Sequence, residues 1–429
     1  MSKGTDYLRE IVSGTGRNAG IASLCSSNEL VLKAALEFAY DNDTFVLIEA
    51  TANQVNQYGG YTGMKPADFH RAVLSLAEGI GLPDHKVIFG GDHLGPVVFK
   101  DKPEEEAMRE AEGLIEAYVK AGFEKIHIDT SMRLASDPID QPLSDEVIAR
   151  RGARLCKVAE QAYMAAFGKP SELIYVVGSE VPIPGGTQSA HEELTVTSPE
   201  AFEATYQAFK AAFESAGLDE AFERVAAVVV QPGVEFGDDS VDEYDREKAK
   251  TLMAKLKTFD HIVFEGHSTD YQTRKALKEM TEDGVCILKV GPELTFALRE
   301  GLFALQFIEN ELNGEADFIG TLERLMLDQP GYWQKYFTGT EEQIALKRKY
   351  SYSDRWRYYA SQQALKNQIN LLFSSLDRKQ IPLTLLSEFM PAQYIKVREG
   401  RLQNRCEELV KDKVKDIISK YHQAVKRQG

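Results

Sequence analysis

Short runs of β-branched and other apolar residues, each closing on Gly or a polar side chain, recur along most of the chain. They fall at Gly20–Leu24, Thr44–Glu49, Lys86–His93, Lys125–Ser131, Leu173–Glu180, Arg224–Gln231, His261–Ser268 and Val285–Gly291. Near-continuous apolar runs of this length predict strands buried on both faces. Between them, apolar residues return at helical spacing in Glu29–Tyr40, Pro66–Gly79, Glu104–Ala121, Ser144–Phe167, Pro199–Ala216, Arg246–Leu256 and Tyr271–Thr281. The Glu104 segment opens on consecutive acidic residues, which suit the positive end of a helix dipole.

Strands alternating with helices predict a parallel sheet, and eight such units fit a closed (β/α)8 TIM barrel better than an open doubly wound sheet. After about Glu309 the strand-like runs cease, and helices broken at Pro330, Pro382 and Pro391 take over. The expected organisation is a barrel over residues 1–310 carrying the active site, with a helical C-terminal extension over 311–429 packed on it.

Composition narrows the function. With 429 residues, 43% hydrophobic and 27% charged, the chain can bury a large core, which excludes wholesale disorder. Its net charge of −16 argues against nucleic acid as a partner. No apolar stretch reaches membrane-spanning length, and the opening MSKGTDYLRE lacks the apolar segment of a signal peptide. Cys25, Cys156, Cys286 and Cys406 lie far apart, as expected of a reducing, cytoplasmic setting.

Barrel sites form at the carboxyl ends of the strands, so the polar residues there are the candidates: Glu49, Asp92, His93, Asp129, Glu180, Gln231, His267 and Lys289. Strand alternation puts His127, Asp129 and Ser131 on one side, and pairs Glu265 with His267. Asp92 and His93 are neighbours, which a regular strand cannot aim the same way. His127 reads equally well as hydrogen-bonded packing. Lys289 reads either as a site residue or as an internal ion-pair partner of Glu265. The acidic stretch Glu235–Asp245 reads as a solvated loop. The amides of Asn53 and Gln54, in the loop after the second strand, suit a polyhydroxylated ligand. Neither GxxxxGK[ST] nor GxSxG occurs, which disfavours a nucleotide cofactor and a Ser nucleophile.

Several longer segments are distinctive: IEATANQVNQYGGYTGM at 48–64, GGDHLGP at 90–96, KIHIDTSM at 125–132, VVGSEVPIPGG at 176–186, VVVQPGVEF at 228–236, EGHSTDYQTR at 265–274, LKVGPELTFALRE at 288–300 and YSYSDRWRYY at 350–359. Together they resemble the Z-subunit family of tagatose-bisphosphate aldolase, over nearly the whole chain. The resemblance implies a barrel of the class II, metal-dependent aldolase type, serving galactitol or tagatose catabolism. It also implies two roles: a tagatose-6-phosphate 4-epimerase, or a non-catalytic subunit supporting a Y-type tagatose-1,6-bisphosphate aldolase. Some relatives carry a tagatose-6-phosphate kinase label, which the missing nucleotide cradle disfavours.

The hydrogen on C4 of a 2-ketose is not acidic, so epimerisation there without a redox cofactor requires cleaving and remaking the C3–C4 bond. The expected helper is a divalent metal, Zn2+ with Mn2+ or Mg2+ as alternatives, held by His93, Glu180 and His267. In the class II aldolase arrangement the Asp beside a metal-binding His moves the proton, which assigns that role to Asp92. Glu49 and Asp129 are candidates for the second proton transfer, and Lys289 completes the catalytic set. Asn53, Gln54, Ser131, Gln231, Gly266, Ser268, Gly291, Arg355 and Arg357 are the expected substrate contacts. Gln231 stands where class II aldolases place a further metal-binding histidine, a departure that bears on the ligand set. The expected partners are the sugar phosphate and a Y-type aldolase subunit, with homo-oligomerisation left open.

Overall fold

All eight runs pair into one closed parallel barrel in the computed structural model, which describes residues 3–16, 18–179, 194–312 and 314–427. The strands are β1 (Ile21–Cys25), β2 (Val46–Thr51), β3 (Val87–Leu94), β4 (Lys125–Ile128), β5 (Ile174–Val177), β6 (Val225–Val230), β7 (Val263–Gly266) and β8 (Val285–Val290). Closure comes from β8 pairing with β1, Ile21 opposite Ile287 and Ser23 opposite Lys289. Every residue of β6 is buried, as its unbroken VAAVVV sequence requires when helices cover one face and the barrel interior the other. Two expected strands are shorter than predicted: the Lys125 run leaves the ladder after Ile128 and the Leu173 run after Val177.

The interior is layered by the period-2 alternation of the strands. At the amino end, Ile21, Leu47, Ile88, Ile174, Val229, Val263 and Ile287 form an apolar cluster with Leu8 and Ile11. The last two come from an amphipathic helix, Lys3–Val12, that the sequence reading did not anticipate. Two residues further along β2, β7 and β8 the inward positions become Glu49, Glu265 and Lys289. The interior therefore turns from apolar to charged toward the carboxyl end.

Helices cover the outside. The long helix Pro292–Glu311 follows β8, and the C-terminal helix Cys406–Ala424 packs against it and against the helix Glu29–Asp41. The Tyr421 hydroxyl, buried, donates to the Thr269 carbonyl at 2.6 Å, tying that last helix to the loop after β7. Pro330 opens a 3-10 turn, Pro382 precedes the helix Leu383–Phe389, and Pro391 starts the helix Pro391–Arg398, so all three break helices as expected. A turn at Arg355–Tyr358 is held down on the Pro292 helix, because Asp354 accepts from Arg299 Nε at 2.8 Å and from Thr295 Oγ1 at 2.6 Å. No described helix is long and apolar enough to cross a membrane.

The acidic stretch Glu235–Asp245 is exposed at Asp239, Asp242, Glu243 and Asp245, as expected, but its first residue departs from that state. Glu235–Phe236 and Val241–Asp242 form a short antiparallel pair, and Glu235 is only 6% exposed. Burial pushes its carboxyl up from 4.5 to about 6. The folded protein therefore holds a proton there that the unfolded chain releases, between pH 4.5 and 6. Stability falls as pH rises through that window, by about 2 kcal/mol at most. Glu235→Gln is expected to gain about that much over the native chain in urea unfolding at pH 8 and nothing at pH 4.5. A difference that does not change with pH would show that Glu235 is not the titrating group.

Candidate functional site

The barrel core holds ion pairs out of contact with water. Lys125, on β4, is 0% exposed and reaches Glu49 at 2.6 Å and Glu265 at 2.7 Å, both also 0% exposed. Lys289, on β8, reaches the other Glu49 oxygen at 2.5 Å and also pairs with Asp92. Gly90 makes the arrangement fit, since a Cβ there would lie 2.4 Å from Glu49 Oε1. Burial opposes ionisation of Glu49 and Glu265, but Lys125 and then Lys289 outweigh it and hold both below the ordinary range.

Above this layer stand three imidazoles, each tied by one nitrogen to a carboxylate. His93 Nδ1 lies 2.8 Å from Asp129, His127 Nδ1 lies 2.9 Å from Asp92, and His267 Nε2 lies 2.9 Å from Glu265. Among the described residues no hydrogen bond reaches the opposite nitrogens of His93 and His267, and His127 Nε2 is buried without a hydrogen-bond partner. Asp92, His93, His127 and His267 can each offer one ligand atom so that all lie within 4.8 Å of one another. A carboxylate behind each histidine is the usual support of a metal-binding imidazole, fixing its tautomer and aim.

Both Asp92 and His93 reach the site because the strand is irregular there. Between Gly91 and Leu94, β3 advances three residues while β4 advances two, and His93 adopts φ 48°. The extra residue of this bulge resolves the alternation conflict between neighbours. Gly95 then lets the chain pass close to β4, since a Cβ would sit 1.7 Å from the Asp129 carbonyl oxygen.

The electrostatics fit a cation. Burial resists ionisation of Asp92, yet His93 and then Lys289 hold it well below the ordinary carboxylate value. Asp129 is likewise held down, against burial, by its hydrogen bond to His93. Burial drives His267 down to about 3, so this imidazole is neutral and its free nitrogen can act as a ligand. The carboxylates of Glu49, Asp92, Asp129 and Glu265 face the ammonium groups of Lys125 and Lys289 and the His93 imidazole, whose pKa Asp92 and then Asp129 raise against burial.

The cluster opens into a cavity of about 830 Å³ at the carboxyl end of the barrel. Of the residues expected from sequence, Asp92, His93, His267, Lys289, Asn53, Gln54, Ser268, Gly291 and Arg357 line it. Others sit elsewhere. Glu49 lies beneath Lys289, and Asp129 lies behind His93, so neither of these expected proton carriers lines the cavity. Ser131 donates to Asp129 Oδ1 at 2.7 Å and acts through it. Gln231 is absorbed by its own loop, accepting from Gly233 and Val234 N–H, both at 2.9 Å. Gly266 is an internal residue of the ladder between β6 and β8. Gly291 borders the cavity, but its N–H is spent on Asp270 at 2.9 Å. Arg355 turns away, stacking 3.3 Å from the centre of the Tyr336 ring and donating to the Tyr332 carbonyl. Glu180 lies outside the described residues.

Three participants were missed or undervalued. His127, which sequence left even between packing and a site role, belongs to the cluster. Lys125 shares its parity in KIHIDTS, a signal that was available in the sequence. Cys25, at the end of β1, places its thiol 3.3 Å from Asp92 Oδ2. Burial raises that thiol's pKa well above its ordinary value, so it stands as a neutral donor.

Comparison with known proteins agrees with this architecture. A family model described as D-tagatose-1,6-bisphosphate aldolase subunit GatZ/KbaZ-like matches residues 8–426. A solved protein from Sinorhizobium meliloti 1021, described as a probable tagatose 6 phosphate kinase, superposes with a TM-score of 0.86 at 45% identity, covering 94% of this chain and 100% of that one. Fainter likenesses include fructuronate-tagaturonate epimerase UxaE from Cohnella laeviribosi, with a TM-score of 0.47 at 12% identity over 96% of this chain and 83% of that one. Fructose-bisphosphate aldolase from Campylobacter jejuni gives 0.43 at 16% over 87% and 92%. At such values these two carry no argument about function.

If Asp129 supports a metal-binding His93, Asp129→Asn keeps its shape but removes the charge that anchors the imidazole. Metal affinity is expected to fall roughly 10- to 100-fold, read as metal content after dialysis against a competing chelator. Retention equal to the native protein's would remove His93 from the ligand set.

Proposed function

The chain belongs to the D-tagatose-1,6-bisphosphate aldolase subunit GatZ/KbaZ-like family, and we propose that it is itself a catalyst, a metal-dependent epimerase interconverting tagatose 6-phosphate and fructose 6-phosphate. The observation that carries this reading is the cluster of Asp92 with three carboxylate-tethered imidazoles, of which Asp92, His93 and His267 line one cavity. Nitrogen-rich ligation of this kind suits Zn2+ better than Mg2+. When bound, such an ion supplies electrophilic stabilisation to the oxyanion that develops as the C3–C4 bond breaks.

The chain's own groups cover the rest of the chemistry. Asp92 Oδ1 is engaged by His127 and Lys289, which leaves Oδ2, beside the Cys25 thiol, for the C4 hydroxyl proton. Asp92 is held well below the ordinary carboxylate value, so it is ionised and can accept the proton. Lys289 lines the same wall and, though burial opposes its charge, Asp92 first among its neighbours keeps it protonated. It is thereby suited to steady Asp92 and to relay the proton that Asp92 has taken back to the inverted hydroxyl, keeping its own charge. A permanently charged ammonium is poorly suited to attack a carbonyl, which disfavours a Schiff-base role. Asn53, Gln54 and Ser268 face the cavity with amide and hydroxyl groups suited to sugar hydroxyls.

A second reading follows from the family description, which names an aldolase subunit: this chain would support a Y-type catalytic partner without turning over sugar itself. A kinase reading is disfavoured by the absence of a GxxxxGK[ST] segment.

NMR of the isolated, metal-loaded protein with tagatose 6-phosphate separates these. Fructose 6-phosphate is expected to accumulate, with activity lost to a chelator and restored by Zn2+. Asp92→Asn is expected to lower kcat by about a thousandfold while metal content stays near native. Absence of turnover in the native protein, together with activation of a co-purifying aldolase, would establish the supporting role instead.

A further inference from the structure

Resting on the sugar-phosphate reading above, the charges around the cavity bear on how many phosphates the substrate carries. Its lining holds four basic side chains, Lys33, Lys289, Arg357 and Lys366. Lys33 is paired with Glu29 at 3.0 Å and Glu407 at 3.3 Å. Lys289 is consumed by Glu49 and Asp92. Arg357 and Lys366 have no ion pair among the described residues. Arg357 donates to the carbonyls of Ser353 and Asp354 and to the Tyr358 hydroxyl, interactions that orient the guanidinium without neutralising it. Both cations belong to the C-terminal extension, Arg357 on the turn at Arg355–Tyr358 and Lys366 on the helix Gln363–Lys379.

The place where TIM barrels commonly seat a phosphate is already filled. That place is the mouth beyond the last two strands, where a helix amino terminus offers backbone N–H groups. Here the N–H groups of Gly291 and Glu293, opening the Pro292 helix, both donate to Asp270 Oδ1, at 2.9 and 2.8 Å. Asp270 itself lines the cavity. A phosphate at that point would meet a carboxylate holding the donors it needs.

We propose that the cavity selects a ketose phosphorylated at one end only, with Arg357 and Lys366 gripping that phosphate and Asp270 denying a second phosphate the helix terminus. This inverts the requirement of a bisphosphate aldolase, which must hold a phosphate at each end. The extension thereby contributes to specificity as well as to packing.

Isothermal titration of the full chain at constant ionic strength tests the proposal, with tagatose 6-phosphate, tagatose 1,6-bisphosphate and unphosphorylated tagatose as probes. The monophosphate is expected to bind tighter than the bisphosphate. Arg357→Ala is expected to weaken monophosphate binding roughly 10- to 100-fold and to leave tagatose unchanged. Because Arg357 also braces its turn, the exposed Lys366→Ala serves as the second variant, with an expected loss of a few-fold for the monophosphate alone. Bisphosphate binding as tight as monophosphate overturns the proposal, as does equal loss of tagatose and tagatose 6-phosphate in the variants. If the expected ranking appears without turnover, the selectivity stands and the epimerase reading fails.

Discussion

Glu49 is the hinge of the electrostatic arrangement. Fully buried, it accepts from Lys125 with one oxygen and from Lys289 with the other, linking ammonium groups on β4 and β8 across the barrel. Removing one member of such a pair strands an uncompensated charge at a cost of about 3–5 kcal/mol. The pairs therefore have to form together, and they fix the inward groups of β2, β4, β7 and β8 relative to one another. Glu265 passes that constraint upward to His267, and Lys289 passes it to Asp92 and so to His127. His127 and His267 are thus aimed by a charge lattice below them, and His93 by Asp129 just beyond the end of β4.

This lattice explains sequence features that strand propensity does not. A glycine at position 90, inside a strand, weakens the ladder in isolation, yet any side chain there would collide with Glu49. Lys125 opens β4 with a charge where the other strands begin with apolar residues, because its partners lie across the barrel. The bulge at Asp92 and His93 has the same origin. A regular strand would deliver either the carboxylate or the imidazole, and the left-handed residue at His93 delivers both.

The architecture was legible because the barrel repeats a strong signal, eight apolar runs separated by helical periodicity. Site residues read from strand ends were legible for the same reason, as with Asp92, His93, His267 and Lys289. What escaped were properties that depend on partners remote in sequence. His127 reads equally as packing until Asp92 and the rings of His93 and His267 are seen around it. Arg355 and Arg357 are two residues apart in one motif, yet a 3-10 turn sends the first against Tyr336 and the second into the cavity. Glu235 looks solvated in an acidic stretch, and only its pairing into a short ladder reveals that it is buried. Gly291 offered an attractive backbone donor whose occupant, Asp270, lies on the preceding loop.

The same lattice weighs the two functional readings against each other. A subunit serving only to stabilise a partner could fill its barrel with apolar side chains, which pack as well and require no balancing of charge. This barrel instead buries four carboxylates, two ammonium groups and three imidazoles, and leaves His127 Nε2 with no partner, a state whose desolvation cost nothing in a passive scaffold would offset. An incompletely satisfied polar cluster at the floor of a large cavity gains its compensation from what binds there. That cost is understandable in a catalyst, where strained and incompletely satisfied groups are part of the working arrangement.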